Sequence, residues 1–112
     1  MKIDGYNKEI RSINDWECYL DWLDDHLSIQ GDEFVCQFQI KYSIPLSACK
    51  TPTQALIEAF KLSAHINESE PSANGPYVAK KFIQTIRPLN KLPHDLPEMF
   101  KEITSAFNVT PR

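Results

Sequence analysis

The chain has 112 residues, 42% of them apolar and 24% charged, with a formal net charge of −3. That length supports a core without metal or disulfide staples, so one globular domain over residues 1–112 is expected, and no apolar run approaches the roughly 18 residues of a membrane span. Acids concentrate toward the N-terminus: residues 1–40 hold nine acids against three bases and residues 41–112 six against nine, a split that disfavours nucleic-acid phosphate and favours a basic partner.

Residues 1–12, MKIDGYNKEIRS, lack the apolar centre of a signal peptide, so the expected location is cytoplasmic. The sequons Asn67-Glu68-Ser69 and Asn108-Val109-Thr110 are then chance matches. A short β segment or hairpin fits this stretch, with Ile3 and Ile10 inward and a turn over Asp4-Gly5-Tyr6-Asn7.

Ile13 to Ser28, INDWECYLDWLDDHLS, reads as an amphipathic helix capped by Ser12 or Asn14 and ended by Gly31. At about 100° per residue, Ile13, Trp16, Tyr19, Leu20, Leu23 and Leu27 fall on one arc, which should face the core. Glu17, Asp21 and Asp25 form an i, i+4, i+8 row on the opposite side, with Asp24 nearby. Like-charge neighbours at this spacing cost a few tenths of a kcal/mol, roughly, per pair, and no Lys or Arg on the helix relieves them. Trp22 and Cys18 lie beside the row. A tryptophan outside the apolar arc and framed by carboxylates is a residue type enriched at interface centres; the alternative is that Trp22 packs under a loop and the acids merely solvate the face.

Glu33 to Ser43 alternates Phe34, Cys36, Phe38, Ile40 and Tyr42 with Val35, Gln37, Gln39, Lys41 and Ser43, the period of a strand. It needs a hydrogen-bonding partner, for which residues 1–12 are the local candidate; otherwise its edge is open to another molecule. Thr51-Pro52 starts a helix that runs to about Ile66. With apolar residues around most of its circumference it should be the most buried element. Asn67 to Pro76 reads as loop, and Tyr77 to Arg87 as a helix ended by Pro88, with a strand over Phe82–Ile86 as the alternative. A last helix from Asp95 aligns Leu96, Met99, Phe100, Ile103, Ala106 and Phe107. The expected fold is α+β, mostly α: about four helices packed around a buried central helix (about 52–66), with a small β element (about 33–43) for which 1–12 is the candidate partner.

Chemistry finds little footing. The isolated Gly5, Gly31 and Gly75 exclude P-loop and dinucleotide fingerprints. Cys18, Cys36 and Cys49 are an odd, widely spaced set that argues for reduced thiols, with Cys36 a small core residue. The three histidines occupy three different elements. A metal site from Asp21, Asp25 and His26 fails on direction, because His26 points about 100° from Asp25 on the wheel. Cys18 sits among acids that oppose its thiolate, and solvated carboxylate rows rarely gain the raised pKa of a general acid. Lys80, Lys81 and Arg87 form too small a basic set for a nucleic-acid domain. A non-enzyme with no cofactor is therefore expected.

At the acidic helix Asp15–Asp25 and the strand Phe34–Tyr42 the chain resembles, in format, the small acidic immunity proteins of bacterial toxin systems, including contact-dependent growth inhibition. The phrase EIRSINDW is also similar to the opening of barstar-type ribonuclease inhibitors, although nothing after Trp16 follows that pattern. Such a resemblance implies a complex with a toxin domain, commonly a nuclease, whose basic cleft is blocked by acidic and aromatic side chains. Glu17, Asp21, Trp22, Asp24 and Asp25 are the candidate contacts. A phage or mobile-element inhibitor of a nucleic-acid-binding host factor would use the same surface. The alternative from another class is an adaptor acting through the helix 77–87 or through homodimerisation across Glu33–Ser43.

Overall fold

A computed structural model describes residues 1–92 of the chain. Residues 1–10 form a small hairpin: Lys2 and Glu9 bridge, the Met1 ammonium donates to the Ile10 carbonyl and the Ile10 N–H to the Met1 carbonyl, both at 2.8 Å. Its turn closes by Tyr6 N–H donating to the Ile3 carbonyl at 3.0 Å, with Gly5 at φ 85 in the left-handed region that disfavours a side chain.

Helix α1 spans Ile13–Asp24, capped by the Ser12 hydroxyl, which accepts from Asp15 N–H. It stops four residues short of the expected Ser28, because Leu27–Gln30 is strand β1. The competing signal is a hairpin: Gly31 at φ 62 and Asp32 make a two-residue connection, and Gln30 pairs with Glu33 on the other side. A glycine at the first position of such a turn supplies the positive φ.

The expected single strand Glu33–Ser43 is two. Strand β2 (Glu33–Gln37) pairs antiparallel with β1 and with β3 (Lys41–Pro45), giving the sheet order β1-β2-β3. Its register sets Cys36 opposite Leu27 and Tyr42, and Phe34 opposite Ile29 and Ile44. Phe38–Ile40 reverses the chain, and the Ile40 N–H is held at 3.0 Å by Glu70, whose side chain is buried. Residues 1–12 therefore do not pair with this strand; their place is taken by the two local hairpin partners.

A 3-10 turn, Leu46–Cys49, leads to α2 (Pro52–Ser69), which opens with the reciprocal Thr51–Gln54 capping box. After residues 70–74, α3 (Gly75–Leu89) starts on the Asn74 cap, and Pro88 falls in its last turn rather than ending it. Close approach of α3 to α2 requires glycine at 75: a Cβ there would collide with the Ser63 carbonyl and the Asn67 side chain.

The main core lies between the sheet and the α2–α3 pair, with Phe34, Cys36 and Ile44 meeting Leu56, Leu62, Ile66, Phe82 and Ile86. A second, smaller core joins the N-terminal hairpin to α1 through Tyr6, Ile10, Tyr19 and Leu23. The protein is α+β, but with three α-helices and a three-stranded antiparallel sheet among the described residues, in place of about four helices around a buried one. The helix expected from Asp95 lies outside the described residues. The central helix is not enclosed either: α2 buries Ala55, Ala59, Leu62 and Ile66 but leaves Phe60 69% and Ile57 39% exposed.

Candidate functional site

Docking of α1 decides which of its residues face solvent. Tyr19 and Leu23 are buried, and the Tyr19 hydroxyl donates to the Ser72 carbonyl at 2.8 Å. Ile13, on the arc expected to face the core, is 79% exposed, and Trp16 is 36% exposed. The second core is too narrow to cover the first turn of the helix, so the apolar arc outruns what packs on it.

Glu17, Asp21 and Asp25 are exposed as a row. Asp24 is turned away from it: one carboxylate oxygen accepts from the Tyr77 hydroxyl at 2.9 Å, and the other lies 3.5 Å from Lys81 Nζ. Tyr77 is correspondingly hard to ionise, its pKa pushed up from 10.0 to about 12 by burial, by the bond to Asp24 and by the charges of Asp24 and Asp21. Asp24 thus ties α1 to α3 and shares the face of Glu17, Asp21 and Asp25 only in sequence.

Trp22 is half-buried. Its ring meets Tyr6 at 5.1 Å, His26 at 4.6 Å and Phe38 at 6.2 Å between centroids. His26 stacks on Phe38 at 4.6 Å and 5°, and its Nδ1 lies 2.7 Å from the Trp22 carbonyl. A carbonyl only accepts, so Nδ1 carries the proton in this bond. One edge of Trp22 packs under the N-terminal hairpin and the β2–β3 turn, while another borders an open cleft.

That cleft, about 390 Å³, is lined by Tyr6, Asn7 and Lys8 from the N-terminal hairpin and by Cys18, Asp21, Trp22 and Asp25 from α1. Two aromatic rings and two carboxylates, against the single ammonium of Lys8, suit a cationic side chain: aromatic rings attract it, and the carboxylates accept its hydrogen bonds. Sequence reasoning missed Tyr6, Asn7 and Lys8. Their only signal was the turn at Gly5, which brings Tyr6 back over α1.

Among the described residues no group of three or more His, Cys, Asp or Glu is placed to hold a metal ion. Cys18 is exposed at the cleft, whereas Cys36 and Cys49 are buried. Burial pushes the Cys36 thiol up to about 12; burial, with the Glu58 charge, takes Cys49 to about 11. The Glu33–Gln37 part of the strand considered for homodimerisation is paired on both sides, which leaves β1 and β3 as the sheet edges. No helix among the described residues is long and apolar enough to cross a membrane. No family model, curated protein or solved structure matches the chain.

Proposed function

We propose that this protein is an inhibitor of the immunity type, which binds a basic surface of a protein partner through Glu17, Asp21, Asp25 and the exposed edge of Trp22. The observation that supports it most directly is the cleft that Asp21 and Asp25 line together with Tyr6 and Trp22. An arginine or lysine of the partner would enter the cleft beside the Tyr6–Trp22 pair, whose rings touch each other at 5.1 Å between centroids, and the row from Glu17 would extend the contact along α1. A toxin nuclease is the favoured partner class, because its catalytic cleft must be basic to hold phosphate, and carboxylates placed there substitute for the substrate's charge. A nucleic-acid-binding host factor blocked by a mobile-element inhibitor would present the same basic surface; the partner's own activity separates the two.

Wild-type protein and an Asp21→Asn, Asp25→Asn variant are to be compared as bait in native lysate, with washes at low and high salt. These two side chains are exposed, so the variant keeps its fold. The expected result is a basic protein retained by the wild type at low salt, released by high salt and lost by the variant, with a nuclease or nucleic-acid-binding activity that wild-type protein suppresses. Equal retention by both baits would move the binding surface off α1 and end this reading.

A further inference from the structure

We propose that the groove between α2 and α3 receives helix α1 of a second copy of this chain. Its walls are Leu56, Ala59 and Phe60 of α2 and Ala79 and Ile83 of α3, around a space of about 390 Å³. Phe60 is 69% exposed, and on both helices the apolar positions recur at the three- and four-residue steps on which another helix packs. One rim is basic. Lys80 and Arg87, two turns apart on α3, line it with Gln84 between them, and no acid among the described residues does. Neither cation forms an ion pair among the described residues.

Helix α1 carries the complement. Ile13, 79% exposed, and Trp16, 36% exposed, lie one turn apart on the arc that the second core leaves uncovered. Glu17, one turn from Ile13, and Asp21, one turn further, border that arc and are exposed. An apolar patch with an acidic edge thus faces apolar walls with a basic edge, and the opposite charges fix the orientation and speed the encounter. The chain's own α1 does not reach the groove. It is held to α3 by Tyr77 and Lys81, which bind Asp24, and Tyr77 points about 120° around α3 from Ile83 at 3.6 residues per turn. The α1 that enters is therefore another molecule's. The contact joins two different surfaces of the chain, so it closes into a two-fold pair when each groove takes the other's α1 and otherwise runs head to tail.

Sedimentation equilibrium of the purified full-length protein, with no partner present, tests this independently of the immunity-type reading. From roughly 1 µM to 1 mM it should show reversible self-association in the micromolar range. Ile13→Lys sets a cation against the basic rim, and Phe60→Glu sets an acid against the acidic edge; each should weaken association by about tenfold or more. Both residues are exposed and outside the two cores, so the variants keep the described fold. Mixing the two variants is the discriminating arm: each retains the surface that the other lacks, so the mixture should recover a pair that neither forms alone. Raising salt from about 0.05 M to about 0.5 M should weaken wild-type association several-fold. A monomer at every concentration, an association that either variant keeps, a mixture that stays monomeric, or an indifference to salt would overturn the proposal.

Discussion

Tyr19→Phe tests the attachment on which the acidic face depends. Tyr19 is 1% exposed, and its ring packs at 5.0 Å from Tyr6 and 5.4 Å from Trp16, contacts that phenylalanine keeps. The change removes one group, the hydroxyl that donates to the Ser72 carbonyl at 2.8 Å and joins α1 to the α2–α3 connection. A net hydrogen bond contributes about 1 kcal/mol, rising to about 3 when its loss strands a buried partner. Ser72 is half-exposed, so water can satisfy its carbonyl and the lower figure applies. Urea unfolding followed by tryptophan fluorescence is well placed, since Trp16 and Trp22 are both on α1. The midpoint should fall by an amount equal to about 1 kcal/mol with the slope unchanged, and Tm by about 4–8 °C. A loss below about 0.3 kcal/mol would refute the role given to this bond. Tyr19→Ala, which also empties the second core, should cost about 3–5 kcal/mol.

The raised pKa of Tyr77, about 12 in the folded protein against an ordinary 10.0, fixes a pH dependence. The unfolded chain loses this proton first, so its contribution to stability is complete below pH 10 and is lost between pH 10 and 12. The urea midpoint should decline through that window, and less steeply in Tyr77→Phe; buried Tyr19 and Cys36, also raised, maintain part of the slope in the variant. Thiol labelling at pH 8 should find Cys18 fast. With thiols at about 12 and about 11, Cys36 and Cys49 expose thiolate fractions of only about 1 in 10,000 and 1 in 1,000. Three fast thiols in the native protein would contradict the burial of that pair. Gly75→Ala drives a Cβ against the Ser63 carbonyl, and the backbone shift should cost about 1–3 kcal/mol in chemical denaturation; an unchanged midpoint would show that α3 does not need this approach. Finally, Asp21→Asn should stabilise the free protein at low salt by a few tenths of a kcal/mol, roughly, through relief of its repulsion with Glu17 and Asp25. High salt should erase the gain, and a destabilisation would mean that Asp21 holds structure instead of serving the surface.

How far the sequence could be read depended on whether a signal was local. The Thr51-Pro52 start of α2 and the Ser12 cap of α1 are local hydrogen-bond chemistry, and both stand in the structure. The alternation over Glu33–Ser43 identified β geometry but not its breakage at Phe38–Ile40. That reversal is fixed by Glu70, thirty residues away in the chain. The apolar arc places Leu27 in the helix, but the Gly31-Asp32 turn pairs Leu27–Gln30 with Glu33–Cys36, setting Leu27 opposite Cys36 and Ile29 opposite Phe34.

The carboxylate row of Glu17, Asp21 and Asp25 and its lack of compensating bases on α1 were fixed by residue identity and a 3.6-residue period alone, since neighbours on a helix surface follow from spacing. Tertiary structure decided the rest of the site. It drew Asp24 out of the row to Tyr77 and Lys81, folded Tyr6 and Lys8 back to wall the cleft, and left Trp22 with one edge packed and one edge open. Those outcomes depend on which distant side chain reaches a helix face first, and no period along the chain encodes that.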